Sequence, residues 1–192
     1  MLTSNGTKQK NKAFTLVETL VAISIFTTSI VVLMVLLGQG IANTNYAKNK
    51  MIAAYLAQEG IEYLRNLQDT YALYSSSPAV GWTDFNNQLT AASCQGANGC
   101  YFDDSDISFA DLTVPIEDID FYACGANCPA LKYDITTGKY GYVAGADSGF
   151  RRKIRVEQTT ASETKVYSTV FWTQGSGTYS SVFSESLFNW VE

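Results

Sequence analysis

Four cysteines are the first residues in this chain whose type and spacing suit defined chemistry. They stand as Cys94-x5-Cys100 and Cys124-x3-Cys128, each pair in a stretch rich in Gly, Ala and Asn. Four thiolates can hold zinc, but this combination of spacings departs from the tighter ligand pairs of structural zinc sites. Two disulfides in an oxidising compartment are the simpler chemistry. Four cysteines allow three connectivities, among which sequence alone does not choose. The local pairs Cys94–Cys100 and Cys124–Cys128 are slightly favoured, although cross-pairs would close larger loops and constrain the unfolded chain more. Asp103, Asp104 and Asp106 follow Cys100, and Glu117, Asp118 and Asp120 precede Cys124. Oxygen ligands in such a loop suit calcium. The glycine and distal glutamate of an EF-hand are missing, so a solvated acidic surface is the simpler reading and no metal or cofactor is assigned. The chain contains no histidine. That removes Ser-His-Asp and Cys-His nucleophiles and histidine-ligated zinc. Ser176, between two glycines, has no base to activate it. Glu59 and Glu62 share a helical face but read as ordinary exposed carboxylates. No enzyme activity is expected.

Glu18 is the other residue in an unusual setting. It is the sole charge between residues 14 and 45, and 17 of the 24 residues from Phe14 to Leu37 are apolar. As a helix this segment extends about 36 Å at roughly 1.5 Å per residue, enough for a bilayer core of about 30 Å. Its Ser and Thr hydroxyls can bond back to carbonyls of the preceding turn. A carboxylate at such depth is costly and normally has a partner or a function, although a glutamate in the first turn also complements the helix dipole. Lys8, Lys10 and Lys12 precede the span with no acid among them, and the next cation is Lys48. The positive-inside rule therefore places the N-terminus in the cytoplasm and the remainder outside. A secretory signal peptide with Gly40-Ile41-Ala42 as its cleavage site is the rival reading. It fits less well, because the apolar run is too long and helix-forming sequence continues past the site.

The string Lys12-Ala13-Phe14-Thr15-Leu16-Val17-Glu18, followed at once by the apolar run, resembles the type III signal sequence of type IV pilins and pseudopilins. The resemblance covers about the first 60 residues. It implies cleavage between Ala13 and Phe14 by a membrane-embedded prepilin peptidase, with N-methylation of Phe14. The position before the cut, usually Gly, is Ala13 here, and the family's frequent mid-span proline is absent. Glu18 falls on the family's fifth mature residue. There the resemblance implies an assembly role, pairing with the Phe14 amine of a neighbouring subunit. The implied partners are other pilin subunits, the prepilin peptidase, an inner-membrane assembly platform and membrane lipid. The implied protein is a structural subunit, a minor pilin or pseudopilin, of a type IV pilus, a type II secretion pseudopilus or a related filament. It would sit first in the inner membrane as a single-pass protein and then in an extracellular or periplasmic filament. The alternative is a secreted or membrane-anchored β-rich binding module with an ordinary signal sequence.

These residues must be positioned by larger elements. Ala53, Leu56, Ala57, Gly60, Leu64, Leu67 and Tyr71 recur at spacings of three and four, which marks one face of a helix. Lys50, Glu59, Glu62, Arg65, Asn66 and Asp69 lie on the other side. No proline precedes Pro78, so the spacing predicts one helix from Phe14 to about Tyr71, its outer half covered by a β-sheet. Residues 66–131 hold nine acids and no Lys or Arg, punctuated by Pro78, Gly81, Gly96, Gly99, Pro115, Gly125 and Pro129. They predict a loop-rich insertion with a few short strands or turns. Its aromatic residues, including Trp82, Phe85, Tyr101, Phe102, Phe109, Phe121 and Tyr122, suit a core beneath long loops. From Leu131 the texture is that of strands. Residues 131–135 and 140–144 flank a hairpin turn, 150–158 and 164–172 form a second hairpin, and a last strand lies near 179–190. The expected organisation is a cleaved leader over 1–13, a transmembrane half-helix over 14–37, an amphipathic half over 38–74, the acidic insertion over 75–130 and an antiparallel meander of four or five strands over 131–192. The expected fold class is α+β, and in the pilin family this order implies an α/β roll.

Charge agrees with that division. The net charge of −5 joins a leader of +3 to a remainder in which ten bases face 18 acids. An acidic chain with four arginines is not expected to track nucleic-acid phosphates with its bulk surface.

Overall fold

The computed structural model describes residues 14–103 and 121–189. The chain divides into two compact units, Met1–Asn45 and Tyr46–Glu192. In the first unit, helix α1 (Leu16–Tyr74) begins, and every described residue up to Asn45 is exposed. The helix is long and apolar enough in this part to cross a membrane.

In the second unit the predicted stripe is the buried face of α1. Ala53, Leu56, Ala57, Gly60, Leu64, Leu67 and Tyr71 are all buried, joined by Ile61, Tyr63 and Gln68. One core cluster packs Leu64 and Leu67 with Phe102, Ile154, Val156 and Val166; a second packs Ala53, Leu56 and Ala57 with Leu131, Phe150, Val170 and Trp172. The amphipathic half of the helix thus covers one face of a sheet, as its pattern requires.

The stretch expected to be loop-rich contains a second helix, α2 (Pro78–Ala91). Pro78 starts this helix instead of breaking it. It occupies the first turn, where a missing N–H costs nothing, and the Ser77 side chain before it accepts from the Val80 amide. Gly81 lies where a Cβ would come within 2.3 Å of the Tyr71 carbonyl oxygen, so glycine lets α2 press against the end of α1. Trp82, Phe85 and Leu89 fill the core, and buried Asn86 accepts from the Thr164 hydroxyl at 2.6 Å.

Among the described residues eight strands follow: β1 (Cys100–Phe102), β2 (Phe121–Ala123), β3 (Lys132–Asp134), β4 (Lys139–Gly141), β5 (Ala146–Asp147), β6 (Phe150–Thr160), β7 (Glu163–Gln174) and β8 (Gly177–Phe188). Both predicted hairpins form, β3–β4 and β6–β7, and β8 is the expected last strand. The single meander does not form. The main antiparallel sheet has the order β2-β1-β6-β7-β8, while β3, β4 and β5 make a separate three-stranded sheet. The insertion therefore supplies two strands of the main sheet. The reason lies at the free edge of β6, where Cys100 pairs with Ile154 and the Val156 amide donates to the Cys94 carbonyl. Gly99 makes that approach possible. It has φ of 67°, and a Cβ there would meet the Ile154 carbonyl oxygen at 2.3 Å.

Candidate functional site

Glu18 lies in the first turn of α1, and its amide donates to the Thr15 hydroxyl at 3.3 Å, so Thr15 caps the helix start. Beyond it the helix satisfies its polar side chains within itself. Thr19, Ser24, Thr27, Thr28 and Ser29 each donate a hydroxyl to a carbonyl three or four residues back, at 2.7–3.0 Å. Leu16, Leu20, Ile23, Phe26, Val31 and Leu37 are among the large apolar side chains left exposed on all sides. A helix apolar around its whole circumference calls for lipid or other apolar helices about it. In that setting a first-turn carboxylate is favoured by the positive end of the helix dipole and remains available to a cation. Phe14 is exposed just ahead of the helix. Ala13 and the leader lie outside the described residues.

Disulfides join Cys94 to Cys100 and Cys124 to Cys128, the favoured local pairs. The thiolates of a zinc site are thereby consumed. Cys94 and Cys100 belong to the larger core cluster, and the Cys124 amide donates to the Gly99 carbonyl at 2.9 Å, which stitches the second loop to the first. Of the calcium candidates, Asp103 is half-buried at the end of β1; Asp104, Asp106, Glu117, Asp118 and Asp120 lie outside the described residues. No group of three or more His, Cys, Asp or Glu side chains suited to a metal occurs among the described residues.

Glu59 and Glu62 do not form a carboxylate pair; each meets an arginine instead. Arg152 Nη1 donates to Glu59 Oε2 at 3.1 Å, and Arg65 Nη1 to Glu62 Oε2 at 2.6 Å. Arg65 Nη2 also reaches Glu185 on β8 at 2.6 Å, and that hydrogen bond raises the guanidinium above its ordinary pKa. The Arg152–Glu59 and Arg65–Glu185 contacts join the helix to the sheet, whereas Arg65–Glu62 lies within the helix. Ser176 is exposed in the turn between β7 and β8. Of the aromatic group, Trp82, Phe85 and Phe102 are core, Phe121 packs against the core and Tyr122 is exposed; Phe109 lies outside the described residues.

Arg152 carries a role that composition did not suggest, because it is almost fully buried, with its guanidinium carbon 4.5 Å from the centre of the Phe102 ring. The strict alternation Phe150, Arg152, Ile154, Val156 along β6 is the signal that places it inside. Comparison of the chain with protein-family models, with characterised proteins and with solved structures finds no match.

Proposed function

We propose that this chain is a minor pilin or pseudopilin, a non-enzymatic subunit of a type IV pilus, a type II secretion pseudopilus or a related filament. The observation that carries the reading is Glu18 in the first turn of α1, at the start of its apolar, exposed part up to Asn45, directly after a lysine-bearing leader and the string Phe14-Thr15-Leu16-Val17. The α+β layout, one long helix whose distal half covers an antiparallel sheet, supports it by agreeing with the family's α/β roll. Before assembly the exposed apolar segment anchors the subunit in the inner membrane, N-terminus in the cytoplasm. Prepilin peptidase then cuts between Ala13 and Phe14, and Phe14 is N-methylated. In the filament the apolar segments pack together, and Glu18 neutralises the terminal amine of a neighbour's Phe14. That pairing removes two charges at once from an apolar interior, where either alone would be strongly unfavourable.

The mature N-terminus tests the proposal. Mass spectrometry of the protein purified from membranes of cells with a prepilin peptidase should find a chain starting at N-methylated Phe14. A start at Asn43, or an intact leader, overturns the reading in favour of a β-rich binding module exported by an ordinary signal sequence.

A further inference from the structure

We infer that the outward side of the main sheet carries a binding site for a carboxylate-bearing sugar, in a groove of about 370 Å³ between the two disulfide-closed loops. This inference rests on the groove alone and does not depend on filament assembly. The chain has 18 acids against 13 bases, yet among the described residues no Asp or Glu lines this groove. Two cations do. Arg151 and Lys153 stand two residues apart on β6 and so project from one face. Neither forms an ion pair with a described carboxylate.

Both cations are held in place by neutral partners. Arg151 Nη1 donates to the Cys128 carbonyl at 3.1 Å, which fixes the guanidinium against the second disulfide loop and leaves its other donors free of described partners. Lys153 Nζ stands 5.6 Å from the centre of the Phe171 ring. A carboxylate entering the groove meets two positive groups already positioned, a geometry that favours short charge-assisted hydrogen bonds.

The rest of the lining is neutral and hydrogen-bonding. Asn98 lies within the first disulfide loop and Asn127 within the second. Thr173 and Thr178 face each other across β7 and β8. Amides and hydroxyls both donate and accept, which is what a ring of sugar hydroxyls requires. A groove this size falls in the range of small-ligand sites. Because each loop is closed by a disulfide, less ordering is needed when a ligand binds. The same details count against single-stranded nucleic acid. Stacking needs free aromatic faces, whereas Lys153 covers Phe171 and Arg155 stands 5.0 Å over Tyr167. An acidic peptide would meet the same cations and could bond the same amides and hydroxyls through its main chain, so it forms one arm of the test.

The test uses the full chain in a detergent without a sugar headgroup, titrated with sialyllactose and with oligogalacturonate while NMR and calorimetry follow binding. At least one of these acids should bind saturably, about tenfold more tightly than neutral lactose, as expected for a desolvated charge-assisted contact. Lys153→Gln and Thr173→Val should each weaken that binding severalfold without moving the melting temperature. Neither residue has a described partner in the core, so a folding defect is not expected to mask the result. The inference is overturned if neither acid binds, if lactose binds equally, or if both variants bind as the parent does. Equal binding of tetraglutamate or of a short thymidine oligonucleotide also overturns it, since charge alone would then account for the affinity.

Discussion

Arg152, on the inward face of β6, places Nη1 3.1 Å from the Oε2 of Glu59 on α1. The pair is asymmetric: the arginine side chain is 2% exposed and the glutamate 46%. Glu59 can recover water if its partner is lost, but Arg152 cannot. Glu59→Ala should therefore cost more than the solvent-screened pair is worth, about 2 kcal/mol, because it strands a buried cation. For a domain of this size that lowers the melting temperature by about 4–8 °C. Arg152→Met combined with Glu59→Ala should recover most of the loss. A double-mutant cycle by thermal unfolding reads this directly, and additive losses would contradict it.

Glu18→Ala should spare membrane insertion and processing at Phe14 yet block entry into filaments. Glu18 makes no described contact within the chain except through its backbone, so its side chain is not needed for the fold. Membrane fractionation, N-terminal mass and sheared-filament immunoblots separate the three steps. Normal incorporation of the variant would refute the role assigned to this carboxylate.

The two disulfides should differ in their effect on stability. Both close short loops, for which chain entropy gives about 2 kcal/mol each. Cys94 and Cys100 are also fully buried within the core, whereas Cys124 and Cys128 sit outside both core clusters. Replacing the first pair with alanine should lower the melting temperature further than replacing the second. The first replacement should also loosen the Val156 amide, which donates to the Cys94 carbonyl at 3.0 Å. Hydrogen exchange at Val156 measures that local effect.

Acid should open the β3–β4 turn. The Thr136 amide and the Thr137 hydroxyl donate to the Asp134 carboxylate at 2.8 and 2.9 Å, and these bonds hold its pKa below the ordinary 3.8. The folded-state value lies below the unfolded one. Its contribution is therefore complete at neutral pH and is lost as pH falls below 3.8 through the folded value. Carboxyl NMR titration should find Asp134 titrating below 3.8, with Thr136 amide exchange accelerating over the same interval. Asp134→Asn should abolish that pH dependence.

The long helix was legible because Ala53, Leu56, Gly60, Leu64, Leu67 and Tyr71 repeat at helical spacing with no proline among them, and each is buried. The hairpins were legible because strand alternation and turn residues are local signals. Helix α2 was not, since Pro78 and Gly81 read as breakers, although Trp82, Phe85 and Leu89 carry a helical period. The recruitment of β1 and β2 to the main sheet depends on pairing across more than 50 residues, from Cys100 to Ile154, which no local pattern encodes. Of the candidate sites, Glu18 and the cysteine pairs stood out as isolated features in their surroundings. The groove did not, because its lining comes from four separate stretches that only the folded sheet brings together.

Both disulfides bridge residues six or fewer positions apart, so neither ties the helix to the sheet. A pull transmitted along α1 is resisted within the second unit by non-covalent contacts: the Arg152–Glu59 and Arg65–Glu185 pairs, the Gln68 amide on the Phe188 carbonyl and the apolar seam. Reducing agents should leave that mechanical coupling in place, whereas high salt should soften its exposed ionic component. Under tension, peeling of the helix from the sheet would begin with the chain's covalent crosslinks intact.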